Sequence, residues 1–426
     1  MSLLAEKKKI VRLNTVNERI GKSLLNKKSS SKKLVGLVGI VTVCGIAYYG
    51  IHYATKPVTG LQTVKHATKH AIVQKTAKHA TKHAIVQKTV KPAEPSASLI
   101  NYAKSVMNKN HLAGAIGIVK NGEFTTVTNG MANVNSMTPN SSKRVVYPIG
   151  SLQKEITGAM VMQIMRKKAF NQDTKIARWY PSLKHADQVT VGNLLTHTSG
   201  YSVPNIEYDR HQKYTDLGAV AWTINQINMT YQRPVGSSCY SDVNFVLLAG
   251  IIEKETGKSY SQNFYERVSK PLKLTHTYIR QNLPKKLHLA VSYQYNYQNA
   301  ISYAMPVSTQ LPGAGNLAST PADLYKIQLG LENGQILTKP EFYQLTHLKA
   351  KKNLYSGGVY LEKHETIHLA YGALDNVHYG AYMQLTADNK NGIIMLVNQC
   401  PQNERELKRI AFQILTRIKP HTFSVY

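Results

Sequence analysis

Acidic residues are scarce in this sequence: 23 Asp and Glu stand against 53 Lys and Arg, for a net charge of +30 over 426 residues. A chain so short of negative charge is built to meet an anionic partner. Cysteine is scarce too. Three residues make no disulfide framework: Cys44 sits in an apolar run, and Cys239 and Cys400 read as two free buried thiols. A bond between those two is the rival reading, but spacing alone cannot bring their Cα atoms within bonding range. The sequence has no phosphate-binding glycine loop and no convincing metal-ligand cluster. No stacking-aromatic motif accompanies its basic run, which argues against nucleic acid as the partner.

The charge is unevenly placed. Residues 1–95 hold 18 basic and 3 acidic residues, and so half of the net charge. Within them, "LVGLVGIVTVCGIAYYGI" (34–51) is uncharged and about long enough for one membrane-crossing helix. The Lys-rich segment before it and Tyr48, Tyr49 and Tyr53 after it predict a cytoplasmic N-terminus (1–33), an anchor (34–53) and everything later outside. The long basic lead and the lack of a clean A-x-A site favour a retained anchor over a cleaved signal peptide. Next, "KHATKHAIVQKTA" (65–77) is followed at once by "KHATKHAIVQKTV" (78–90). His66, His70, His79 and His83 have H-x-x-x-H spacing, but no carboxylate or cysteine joins them as metal ligands. Residues 54–96 therefore read as a cationic spacer. It could span on the order of 140 Å when extended, or roughly 35–40 Å as a coil.

From residue 97 the chain reads as one globular unit, 97–426. "ASLINYAKSVMNK" has helical spacing, and "AGAIGIVKNGEFTTVTNG" reads as strand, Asn-Gly turn, strand. Helical patterns cover 151–168, 190–196, 215–227, 242–256 and 320–332. Strand-like runs follow at 356–361, 366–371, 379–386 and 392–398, then an amphipathic helix near 403–418. The expected class is α/β of the α+β type: a mainly antiparallel sheet from the N- and C-terminal segments, flanked by helices, with a helical insert forming the other wall of a cleft.

Within that unit, "YPIGSLQKEITGAMVMQIM" (147–165) puts a serine at a helix entrance and a lysine one turn in. Residues three apart on a helix share a face, so Ser151 and Lys154 can meet. Apolar neighbours would strip Lys154 of hydration, favouring the neutral amine that takes a proton from Ser151. The plain alternative is an N-cap and a surface lysine, and S-x-x-K alone does not decide between them. A second cluster bears on the choice. "RPVGSSCYSDVNFVLLAG" (233–250) places Tyr240-Ser241-Asp242 at the mouth of an apolar helix, where Ser241 or Asp242 can cap and Tyr240 can aim its hydroxyl into a cleft.

The order S-x-x-K (Ser151–Lys154), "LLTHTSGY" (194–201), Tyr240-Ser241-Asp242 and "GAGNLASTPADLYK" (313–326) resembles the serine β-lactamase-like superfamily. The closest branch is that of class C β-lactamases, D-alanyl-D-alanine carboxypeptidases and related esterases, over about residues 97–420. On local chemistry, "LLTHTSGY" reads as a short helix ended by Gly200, and "STPADLYK" as a helix capped by Ser319 or Thr320 with Pro321 first. The resemblance implies Ser151 as acylated nucleophile, Lys154 as its activator and Tyr240 as shared acid and base. It puts Asp242 where many relatives carry the asparagine that holds the substrate's acyl-side amide. The third motif departs from the pattern: Tyr371-Gly372 stands where His-Gly is expected, and His368 and His378 are out of register.

These implications make the chain an anchored extracytoplasmic acyl-serine hydrolase with no cofactor. Its substrate would be a D-alanyl amide or ester of the cell envelope, in a peptidoglycan stem peptide or on teichoic acid, and a β-lactam would be a candidate covalent inhibitor. The alternative is a degenerate relative that only binds anionic wall polymer.

Overall fold

A computed structural model describes residues 95–167, 170–203, 211–301, 305–348, 355–361, 367–369, 378–400 and 404–423. The expected anchor, the His-bearing repeat, Cys44, Tyr371 and Gly372 all lie outside these. Among the described residues no helix is long and apolar enough to cross a membrane.

The fold is mixed α/β. Helix α1 (Ala97–Lys109) is capped by Ser96, whose side chain accepts from the Leu99 N–H. It leads into β1 (Ala113–Lys120) and β2 (Glu123–Asn129), joined at Asn121-Gly122. Strand β3 (Val145–Pro148) then delivers the chain to a 3-10 turn, Gly150–Leu152, and helix α2 (Gln153–Lys167). Helices α3 (Val191–Leu195), α4 (Asp216–Met229) and α5 (Asp242–Thr256) form the helical insert. Strand β4 (Leu317–Ser319) pairs with β3 and precedes α6 (Pro321–Gly330). The chain returns through β5 (Tyr355–Ser356), β6 (Val359–Leu361), β7 (Ile367–Leu369), β8 (Gly380–Leu385), β9 (Gly392–Gln399) and α7 (Glu404–Ile418).

The main path of the large sheet runs β5-β6-β7-β8-β9-β1-β2, antiparallel at every step. The first and last parts of the chain meet at its centre, where Ile116 lies opposite Met395 and Ile118 opposite Ile393. Both sheet faces are covered, so β9 reads as an unbroken apolar run rather than an alternation. On one face Ile116, Ile118, Ile393, Met395 and Val397 pack with α1 and α7. Ala115, Val119, Ile394 and Leu396 join the larger core built with the helical insert. Successive residues of a strand point to opposite faces, which divides the two cores.

Two local expectations change. The run 356–361 is not one strand: Gly357 and Gly358 take φ of +62° and +108° and turn β5 back as β6. Helix α3 stops at Leu195 with Thr196 as its C-cap, well short of Gly200, whose φ of +81° serves the loop beyond. There the Gly200 carbonyl accepts from the Arg233 N–H. Of the two cap candidates expected for α6, Thr320 is the one that caps it, with Pro321 first as expected. Cys239 and Cys400 are free and buried.

Candidate active site

Gly150 takes φ +50°, a region that costs an L side chain roughly 1–2 kcal/mol. It starts the 3-10 turn that presents Ser151, which is therefore inside the turn and not a helix cap. One turn on, Lys154 is fully buried, so the surface-lysine alternative fails. Its ammonium donates to Ser151 Oγ at 2.8 Å, to Asp242 Oδ1 at 2.6 Å and to the Ala314 carbonyl at 3.1 Å. From the mouth of α5, the Tyr240 hydroxyl donates to Ser151 Oγ at 2.7 Å. Ser151, Lys154, Tyr240 and Asp242, from two helix entrances with Lys154 and Asp242 88 residues apart, thus converge on one oxygen and one nitrogen.

The charge state of Lys154 differs from the sequence expectation. Burial alone would push its pKa down, but the Asp242 carboxylate and the Tyr240 oxygen outweigh burial and hold it above the ordinary lysine value. Lys154 is an ammonium. Burial raises the Tyr240 phenol and the Asp242 charge raises it further, while Lys154, 5.0 Å from the ring centroid, opposes both. Once the Tyr240 phenol has lost its proton, the fixed Lys154 cation stabilises the phenolate, which is then the base that takes the Ser151 proton.

What holds the pieces in place is mostly polar and buried. Gln153 Nε2 donates to Asn316 Oδ1 at 2.7 Å, and Gln153 Oε1 accepts from the Leu317 N–H at 2.8 Å. Thr157 Oγ1 donates to the Gly313 carbonyl at 2.7 Å. These bonds tie α2 to 313–317 and thereby aim the Ala314 carbonyl at Lys154. That acceptor was not foreseen, because a backbone carbonyl leaves no mark in sequence. On the other flank, a Cβ on Gly358 would fall 2.2 Å from the Glu155 nitrogen, so the β5–β6 turn is pressed directly onto α2.

His197 was also missed. It lies under the site, its ring centroid 4.3 Å from that of Tyr240 and 4.5 Å from that of Tyr355. Of the third-motif candidates, His368 sits in β7 opposite Gln384. His378 is bound into the sheet, its N–H donating to Ser292 Oγ at 2.5 Å and its carbonyl accepting from Cys400 Sγ. A cavity of about 430 Å³ opens at the far end of α2, lined by Met162, Arg166, Phe170 and Glu341, and does not include Ser151.

Comparison with known proteins accounts for this geometry. A family model described as Beta-lactamase matches residues 99–417. The chain belongs to the beta-lactamase family. It is a serine hydrolase of that family, and it shares its fold with the penicillin binding protein from Bacillus halodurans, at a TM-score of 0.60 and 18% identity over 74% of this chain and 99% of that one. Among curated relatives, the teichoic acid D-alanine hydrolase of Staphylococcus aureus is 27% identical over 320 residues, 72% of this chain and 76% of its own. The crystal structure of FmtA from Staphylococcus aureus superposes with a TM-score of 0.65 at 24% identity, covering 78% of this chain and 92% of that one. D-amino acid amidase from Ochrobactrum anthropi SV3 gives 0.64 at 19% identity, over 76% and 97%.

Proposed function

We propose that the chain hydrolyses D-alanyl esters of the cell envelope, with teichoic acid as the polymer that carries them, outside the membrane to which residues 34–53 anchor it. The observation that carries the chemistry is Ser151 Oγ held between the Tyr240 hydroxyl at 2.7 Å and the Lys154 ammonium at 2.8 Å. In this reading the reacting form is the Tyr240 phenolate paired with the Lys154 ammonium, the phenol proton having gone to solvent, and the Ser151 proton passes to that phenolate as Oγ attacks the ester carbonyl. Tyr240 then returns a proton to the departing polymer hydroxyl. Water, losing its proton to Tyr240, attacks the acyl-enzyme, Ser151 Oγ recovers a proton, and D-alanine leaves. The relative named a teichoic acid D-alanine hydrolase supports the substrate class.

Asp242 supports the ester over the peptide. A D-alanyl ester ends in a free ammonium beside its carbonyl, and the Asp242 carboxylate, which pairs with Lys154 at 2.6 Å and is still 36% exposed at the mouth of the site, would be shared between the two cations. The excess of basic residues suits a polyanionic polymer.

The test is release of D-alanine from D-alanylated teichoic acid and from a D-alanyl-D-alanine peptide by the full-length chain. A fluorophosphonate adduct is read in parallel by intact mass. Release from the ester and a single adduct, both lost in Ser151→Ala, are expected. Cleavage of the peptide alone overturns the ester reading. A folded chain that neither turns over nor takes the phosphonate is a polymer-binding relative instead.

A further inference from the structure

His197 carries two unfavourable features at once. Its backbone is left-handed, φ +53°, which costs a β-carbon-bearing residue on the order of 1–3 kcal/mol. Its side chain is 2% exposed, yet Nε2 has no hydrogen-bond partner among the described residues, which leaves a buried donor unsatisfied. A residue that is strained and unsatisfied in the same place is kept for what else it does.

What it does is visible in its other bonds. The His197 carbonyl accepts from the Cys239 N–H at 2.8 Å. His197 Nδ1 lies 3.3 Å from the Ser241 nitrogen, whose N–H it accepts, and 2.9 Å from Asn244 Nδ2. The residues on both sides of Tyr240 are therefore fastened to this one histidine, by its main chain on one side and its ring on the other. The ring also packs against the Tyr240 and Phe245 rings. Ser241, the N-cap of α5, makes no capping bond with its own side chain, so this end of the helix is held from outside. Since Nδ1 accepts a backbone N–H, the proton of the neutral ring is on Nε2.

We propose that His197 is the positioning residue for Tyr240 and Asp242, acting as the neutral Nε2–H tautomer whose Nδ1 fixes the 239–244 segment over Ser151. It touches no reacting atom. The left-handed turn at His197 is what lets one residue offer both its carbonyl and its ring to the same strand of chain. The inference rests on reading Ser151, Lys154 and Tyr240 as the reacting groups.

The test compares His197→Phe with His197→Asn in the full-length chain. Phenylalanine keeps the ring packing and removes the acceptor. Asparagine keeps an acceptor on the γ position and tolerates the left-handed backbone. Misplacing a reacting group by about 1 Å costs on the order of 10²-fold. His197→Phe is thus expected to lower kcat on the ester, and the rate of Ser151 phosphonylation, by roughly 10²-fold with KM within about threefold. His197→Asn is expected to recover both rates to within about tenfold of the native chain. Circular dichroism confirms that each variant is folded, and imidazole ¹⁵N NMR of the native chain should show a proton on Nε2 at neutral pH. An unchanged phosphonylation rate in folded His197→Phe, equal losses in both variants, or a proton on Nδ1 would overturn the proposal. A native chain that takes the phosphonate but leaves the ester intact sinks the ester reading alone, and the phosphonylation rates still decide the role of His197. A native chain inert to both removes the two together.

Discussion

Lys154 and Glu155 are neighbours in sequence, both buried, and resolved in opposite ways. Lys154 finds a carboxylate and stays charged. Glu155, 1% exposed, finds the amide of Gln328 and no cation among the described residues, and burial pushes its pKa up to about 8. Burial of Lys154 was legible from its apolar helix, but its charge was not, because the partner that sets it arrives from 88 residues away. His197 left no signal for a similar reason: its left-handed turn depends on the loop it holds, not on its own neighbours. Glu155 gives a direct test of buried charge. Its folded pKa lies above the unfolded value near 4.5, so the native state binds the proton more tightly. The resulting stability is complete below about pH 4.5 and is lost as pH rises toward 8. Glutamine has no proton to lose, so Glu155→Gln should gain on the native chain as pH rises. Urea denaturation at pH 5 and at pH 8.5 is expected to show that gain growing by roughly 3–5 kcal/mol. A difference that stays constant with pH would show that Glu155 is not the buried acid it is taken to be.

At the scale of elements, the pattern that mattered most was read well where helices were long and apolar. The expected span 242–256 is the observed α5, because a helix buried on all sides announces itself by continuous hydrophobicity between a Ser-Asp entrance and Gly257. The run 356–361 was misread because its two glycines do not weaken a strand; they reverse it. The turn they make is a contact surface against α2. At Gly358 an added Cβ would meet the backbone of Glu155 and Lys154 at 2.2–2.4 Å, and backbone atoms inside a helix cannot step aside. Gly334 has a comparable conformation, φ +90°, with nothing within 4 Å. The two glycines therefore separate backbone strain from collision. Gly334→Ala should cost about 1–2 kcal/mol, the strain alone. Gly358→Ala should cost more than about 4 kcal/mol and slow Ser151 phosphonylation, since the hairpin must lift from the helix that carries Ser151. Equal losses in urea titrations of the two variants would mean that the hairpin is free to move off α2.

The globular part is built on a sheet whose centre is made by the first and last of its described segments. An antiparallel sheet closed by distant segments, with a helical insert between them, follows from the order of patterns in the sequence. The strand order does not follow, since register is set by which faces find cover. Cover for one face comes from α1 and from α7, the last helix described. Leu407, Ile410, Ala411, Ile414, Leu415 and Ile418 are each 4% exposed or less and lie against β1, β8 and β9 residues in a single core. Exposing a buried Leu or Ile costs about 1.5–3 kcal/mol, so the five large side chains together outweigh much or all of the 5–15 kcal/mol by which a typical domain is stable. Ser151 sits on the opposite side of the sheet, yet the helix that follows it packs in a core with strands that need this cover. Deleting residues 404–426 should therefore abolish the cooperative thermal transition and Ser151 phosphonylation together, although no reacting group is removed. A truncated chain that still melted cooperatively would show that the helical insert folds around Ser151 without the completed sheet.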